Sequence, residues 1–216
     1  SRKVLWEKMR DFGMLAGDDA EAGCGARPPA RFGPHVKPPS TRALADGAFR
    51  LRPLQPTDVE AWHACISDPR VHGPTSWPLL SLDEFAARLP AHIERGVRWA
   101  IARCSDDQLV GTCGAIRWGE PPGVAEVAYE LAPKYWGRGL ATGAVAAFLE
   151  AAELAGIARV EAHTWVENER SERVLERSGF ARDARLLAFR ACRGELRDYW
   201  RWVRDLRSPG CAGLGH

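Results

Sequence analysis

Tyr129-Glu-Leu-Ala-Pro-Lys-Tyr-Trp-Gly137-Arg-Gly139-Leu-Ala141-Thr142 is the stretch from which the rest of the chain can be organised. Apolar residues alternate up to Leu131, a proline breaks the run, two glycines flank one arginine, and a helical apolar pattern begins at Leu140. Glycine accepts a left-handed backbone and lets a ligand approach the main chain. The first turn of a helix carries N–H groups without intrahelical acceptors, at the positive end of the dipole. The pattern therefore predicts a site for a pyrophosphate held mainly by main-chain donors, with Arg138 adding one positive charge. Two other readings stand beside this one. The glycines need only permit a tight turn. Alternatively Gly137-x-Gly139-x-x-x-Gly143, with Glu161 downstream, is loosely similar to a dinucleotide fingerprint, although that fingerprint follows its strand directly and here Ala132 to Trp136 intervene.

Downstream, Leu140, Ala144, Phe148 and Ala152 fall on one i+4 row with Val145 and Leu149 beside it, predicting a deeply packed helix from about 138 to 155. A strand is expected over 159–166, a helix over 168–178 ended by Gly179, and an antiparallel pair over 184–192 and 195–204. Upstream, strands are expected at 49–54, 98–104, 109–118 and 124–131, with a turn at 105–108. Thr57-Asp-Val-Glu60 and Ser81-Leu-Asp-Glu84 read as capping boxes that open helices near 57–67 and 81–95, separated by a Pro/Gly-broken loop over 68–78. The order β-α-α-β-β-β-α-β-α-β-β is an α/β chain with a mixed sheet and helices on its faces.

The first 46 residues read differently. Pro28, Pro29, Pro34, Pro38, Pro39 and five glycines leave little to pack, so 16–46 is expected to be irregular, with one short helix over Val4–Leu15. The expected division is an extension over 1–46, a domain over 47–206 and a tail over 207–216. The extension holds eight Lys/Arg against six acids, which leaves 22 against 22 in the remainder. A neutral body lacks the basic excess of a nucleic-acid binder. No apolar run has the length of a membrane span and no signal peptide opens the chain, so the expected location is cytoplasmic. The six cysteines show neither C-x-x-C pairs nor metal spacing, and His63, His72, His92 and His163 show none either, so no metal is expected.

The glycine stretch resembles the pyrophosphate loop of the GNAT N-acetyltransferase superfamily. Its form Tyr-Trp-Gly-Arg-Gly-Leu-Ala-Thr is similar to the RimJ/RimL-like branch, in which an aromatic commonly precedes the glycines. Asn168-Glu-Arg-Ser171-Glu-Arg-Val-Leu175-Glu-Arg-Ser-Gly179-Phe180 is similar to that family's N-x-x-S-x-x-x-L-x-x-x-G-F helix, and Asp68-Pro-Arg-Val and Gly194-Glu-Leu-Arg-Asp198 resemble the same branch. The resemblance runs from Phe49 to Leu206. It implies a three-layer acyl-CoA N-acyltransferase fold with splayed central strands, acetyl-CoA as co-substrate, and direct attack by an amine in a ternary complex. The amine belongs to a protein N-terminus or a small molecule, and a homodimer is an open possibility. A non-catalytic acyl-CoA-binding regulatory module is the alternative.

Amide formation from a thioester needs a neutral amine, and a lysine-like ammonium has a pKa of about 10.4. A proton acceptor, an oxyanion donor and a proton source for the leaving thiolate follow as requirements. By resemblance Glu126 is the base, with a solvated strand acid as the plain alternative; Asp183 is second, at a place where the branch has a longer Glu. Glu130, on the same strand face as Glu126, is a candidate for touching the acceptor. The resemblance places Leu131, Trp136, Gly137, Arg138, Gly139, Leu140, Ala141, Thr142, Asn168 and Ser171 at the cofactor. Asn168 equally suits a helix N-cap. Leu175 stands where many family members have a tyrosine, which makes Ser171 the candidate acid. Trp77, Trp118 and Trp165 line the acceptor pocket or, as strand-end tryptophans more often do, simply pack the core or a rim.

Overall fold

A computed structural model describes residues 43–44, 47–192 and 195–206. The sequence-predicted helix over Val4–Leu15, most of the irregular stretch and the tail after 206 lie outside the described residues. Ala43–Leu44, expected to be irregular, instead forms a short strand, β1, against Phe49–Pro53, β2. Leu44 is 3% exposed, so the apolar side chain of this edge strand is buried.

The remaining strands are β3 (Arg98–Arg103), β4 (Leu109–Trp118), β5 (Val124–Leu131), β6 (Arg159–Trp165), β7 (Ala181–Cys192) and β8 (Glu195–Asp205). Among the described residues these strands form one eight-stranded sheet in the order β1-β2-β3-β4-β5-β6-β8-β7. Every neighbouring pair is antiparallel except β5 with β6. One parallel pair is not the mostly parallel sheet that a dinucleotide fold requires, and that reading is overturned.

The helices are α1 (Val59–Ser67), α2 (Pro69–His72), α3 (Leu82–Arg95), α4 (Leu140–Leu154) and α5 (Glu169–Arg177). Ser81 caps α3 as its sequence predicts, its hydroxyl accepting the Glu84 N–H while the Glu84 carboxylate accepts the Ser81 N–H at 2.8 Å. The expected box at Thr57 does not form. A 3-10 turn over Pro56–Asp58 precedes α1, and Asp58 is drawn inward onto Arg52 at 2.7 Å. α2 is a single turn within the expected loop, capped by Asp68. β7 begins at Ala181, three residues earlier than its pattern suggests, because register shifts along it break the alternation. Among the described residues no helix is long and apolar enough to cross a membrane.

Two cores result, one on each face of the sheet. Against one face lies α4, whose Leu140, Ala144, Val145, Phe148, Leu149 and Ala152 are all buried with Trp99, Val127, Leu131 and Val160. Against the other, Trp62, Ile66, Phe85 and Leu89 of α1 and α3 meet Ala100 and Leu109.

The feature that positions the site is a short ladder. β5 and β6 pair only through Val124↔Arg159, Ala125↔Val160 and Glu126↔Glu161, yet β5 continues to Leu131 and β6 to Trp165. The two strands therefore part, and the β6-facing main chain of β5 beyond Glu126 has no ladder partner.

Candidate active site

At the far end of this splay the chain turns through Pro133–Tyr135 and the glycines into α4. Gly137 and Gly139 have φ of +75° and +74°, the left-handed region. A Cβ at either would meet nothing within 4 Å, so backbone conformation and not crowding demands glycine here. Gly139 is the N-cap of α4, which therefore begins at Leu140, later than the sequence suggested. No side chain caps that end and its first turn holds no acid. The first intrahelical bond runs from the Gly143 N–H to the Gly139 carbonyl at 2.9 Å. The N–H groups of Leu140, Ala141 and Thr142 thus have no acceptor from the helix, which is the donor set an anionic diphosphate fits.

Around them, the Trp136 indole N–H donates to the Leu131 carbonyl at 2.8 Å and fixes the loop to the end of β5. Arg138 lies over Tyr135 at 5.6 Å. A second cation escaped the sequence reading: Arg170 of α5 sits 4.4 Å over the Trp136 ring, bringing positive charge from across the splay. Its signal was present in the Asn-Glu-Arg-Ser motif, but nothing local says which loop that arginine faces.

Asn168 caps α5, its side-chain oxygen accepting the Ser171 N–H at 3.3 Å. The Ser171 hydroxyl meets the Tyr129 hydroxyl of β5 at 2.7 Å, and Tyr129 also donates to the Ser171 carbonyl at 3.1 Å. Burial pushes the Tyr129 phenol above its ordinary range, so it stays protonated. Tyr129 was not among the expected site residues, because its partner lies 42 residues away.

On the opposite face of β5, Glu126 is 1% exposed. One oxygen accepts from His163 Nδ1 at 2.8 Å and from Arg190 at 2.7 Å, the other from Arg117 at 2.9 Å. Burial alone would raise its pKa, but the His163 hydrogen bond and the Arg190 charge outweigh that and hold it well below the usual carboxylate range. A carboxylate so clamped is a weaker proton acceptor than a free one, which weighs against the expectation of Glu126 as the base.

Three further candidates have their own partners in the structure. Glu130 is committed to a buried cluster: it accepts the Trp62 indole N–H at 2.7 Å, the Thr112 hydroxyl and the Arg98 guanidinium, so it has no free edge for an acceptor. Trp118 stands on the α4 face, edge-on to Phe148 at 5.8 Å, away from Glu126. Asp183 sits in a register shift of β7, more than a third exposed and paired with Arg201, in contact with neither Glu126 nor Ser171. Trp77 does lie on the Glu126 side of the sheet, packed against Trp62 at 6.2 Å with Arg98 beneath it. Trp165 shares that face, with Arg197 over its ring at 5.4 Å.

The family model described as "Acetyltransferase (GNAT) domain" matches residues 49–181. The uncharacterized N-acetyltransferase YoaA of Bacillus subtilis (strain 168) is 30% identical over 142 residues, covering 62% of this chain and 79% of that protein. Among solved structures, RimL, a ribosomal L7/L12 alpha-N-protein acetyltransferase in complex with coenzyme A, superposes with a TM-score of 0.67 at 18% identity over 76% of this chain and 97% of that one. Spermidine N-acetyltransferase from Vibrio cholerae, with CoA and spermine, gives 0.65 at 20% identity over 73% and 95%. With the splayed sheet, the uncapped glycine turn and a family model spanning more than half its length, this chain belongs to the GNAT family of N-acetyltransferases.

Proposed function

We propose that the protein transfers the acetyl group of acetyl-CoA to a primary amine, by direct attack within a ternary complex. The observation that carries this reading is the unshielded start of α4, where three N–H donors and two left-handed glycines face open space at the wide end of the splay. The diphosphate of CoA fits there, with Arg138 and Arg170 nearby. The pantetheine arm would then run between β5 and β6, past Asn168, where the sheet lacks a ladder.

The Ala132 N–H bonds to Val110 of β4 at 2.9 Å. By alternation along a strand, the Leu131 N–H points the other way, into the splay. That N–H is the proposed donor to the oxyanion formed when the amine nitrogen attacks the thioester carbonyl. The Tyr129–Ser171 pair is the proposed proton source for the departing thiolate.

The acceptor approaches from the α1/α3 face, past Trp77. Its class, whether protein N-terminus or small polyamine, is decided by turnover. Thiol release from acetyl-CoA is to be measured with spermidine, an aminoglycoside and alanine-terminated peptides. Amine-dependent release with one of them supports the reading; CoA uptake with no release across the panel counts against it.

Ser171→Ala and Tyr129→Phe should each lower kcat by about tenfold and leave KM for acetyl-CoA nearly unchanged. The effect is modest because a thiolate of ordinary pKa, about 8.5, already leaves readily. The double variant should be little worse than either single one, since the two hydroxyls act as a unit.

A further inference from the structure

We infer that His163 is the group that takes the proton from the attacking amine, through Nε2, with Glu126 as its positioning residue. This rests on the acetyl-transfer reading above and adds the identity of its base.

His163 stands on β6 two residues beyond the last β5–β6 pair, at the point where the strands part. Its Nδ1 contacts the Glu126 carboxylate, which is ionised and can only accept. The hydrogen on the ring is therefore on Nδ1, and the lone pair of the neutral imidazole is on Nε2. Among the described residues no hydrogen bond reaches Nε2, nor is Nε2 among the buried polar atoms that lack a partner. The atom is unclaimed, on a side chain that is 3% exposed. Phe189 lies against the ring with centroids 4.9 Å apart, which fixes its plane.

Glu126 is less suited, since three donors already share its oxygens and it is 1% exposed. Those same contacts make it a rigid acceptor for Nδ1–H. A buried carboxylate that orients an imidazole, and stabilises the imidazolium when it forms, leaves the far nitrogen to act as the base.

The step balances as follows. The amine lone pair forms the C–N bond, the carbonyl electrons pass to oxygen, and the amine proton passes to Nε2. When the C=O re-forms the C–S bond breaks, and the thiolate takes its proton from the Tyr129–Ser171 pair. His163 then returns its proton to water and the Tyr129–Ser171 pair takes one back from water, which restores both groups.

The groups around the ring are Glu126 from β5, Arg190 and Phe189 from β7, Arg117 reaching Glu126 from β4, Arg201 opposite it on β8, and Glu161 on its own strand. None but His163 offers an unclaimed nitrogen lone pair at the splay, since arginine has no acceptor.

The test uses the full chain and the best amine of the panel. His163→Asn keeps an amide N–H where Nδ1 was but has nothing at Nε2. It should lower kcat by about 100-fold or more, abolish the rise of kcat with pH at saturating amine, and retain CoA uptake by calorimetry. Glu126→Gln should lower kcat less and keep that rise with a displaced midpoint. In His163→Ala, added imidazoles should restore turnover in order of their basicity, a rescue a merely structural role would not give. His163→Asn within threefold of wild-type kcat, with its pH rise intact, would overturn the inference while leaving acetyl transfer standing. Loss of the pH rise in Glu126→Gln alone would return the base to Glu126. A wild-type chain that takes up no CoA would remove the underlying reading and the inference with it.

Discussion

Glu130→Ala is expected to lower the free energy of unfolding by about 3–5 kcal/mol, the usual cost of stranding one member of a buried ion pair. The Arg98 side chain is 2% exposed and that of Glu130 6%. Arg98 donates to the Thr112 hydroxyl at 2.8 Å, and Thr112 passes its own hydrogen to Glu130, which also holds the Trp62 indole N–H at 2.7 Å. Removing the carboxylate leaves a guanidinium, a hydroxyl and an indole N–H without their acceptor, in a place water reaches poorly. The guanidinium also lies over Trp62 at 5.4 Å and Trp77 at 5.8 Å, so its displacement would loosen the packing of α1 on the sheet. Urea unfolding should show a lower midpoint at unchanged slope. Arg98→Met combined with Glu130→Leu should recover most of the loss, because an apolar pair removes both desolvation demands together. A single variant as stable as wild type would mean that water already solvates the cluster.

Gly139→Val should weaken CoA uptake by about tenfold to a hundredfold. A β-branched residue held at φ of +74° carries roughly 1–3 kcal/mol of backbone strain, and each 1.4 kcal/mol is a factor of about ten in affinity. A Cβ at this position collides with nothing, so the turn is free to relax toward an extended conformation and swing the N–H groups of Leu140, Ala141 and Thr142 out of line. Ligand binding must then restore the strained turn. Gly156, just beyond the C-terminal end of α4, has φ of +78° and the same empty surroundings. Gly156→Val is thus the matched control, with the same strain but no change in calorimetric CoA affinity. Equal losses from both variants would mean that general destabilisation, not the turn, governs uptake.

The parts of this molecule legible in the sequence are those encoded within one turn or one strand. The glycine turn, the buried row of α4, the Ser81 cap and the Asn168 cap each depend on residues a few positions apart. What was not legible depends on partners brought together by the sheet. Tyr129 meets Ser171 across 42 residues and Glu126 meets His163 across 37, both over the splay between β5 and β6. Trp118 shows how one extra residue defeats alternation. Between Ala115↔Val127 and Arg117↔Glu126 the register shifts, and Ile116 is left 43% exposed. Beyond that bulge Trp118 pairs with Ala125 rather than Val124, which turns it from the Glu126 face to the core. The surroundings of Glu126 were hidden for a related reason. Its strand position was readable, but the arginines that clamp it come from β4 and β7, and Arg190 is 64 residues distant.

The helices that cover the two faces of the sheet come from different stretches of the chain. Everything proposed to hold the acyl donor, from Tyr129 to Ser171, lies in the second half of the chain, whereas the wall on the far side is made by α1, α2 and α3, between positions 59 and 95. Variation within the α1–α3 block that keeps Trp62 on Glu130 is therefore, on the proposed function, a route to new amine preferences that leaves the donor cradle intact.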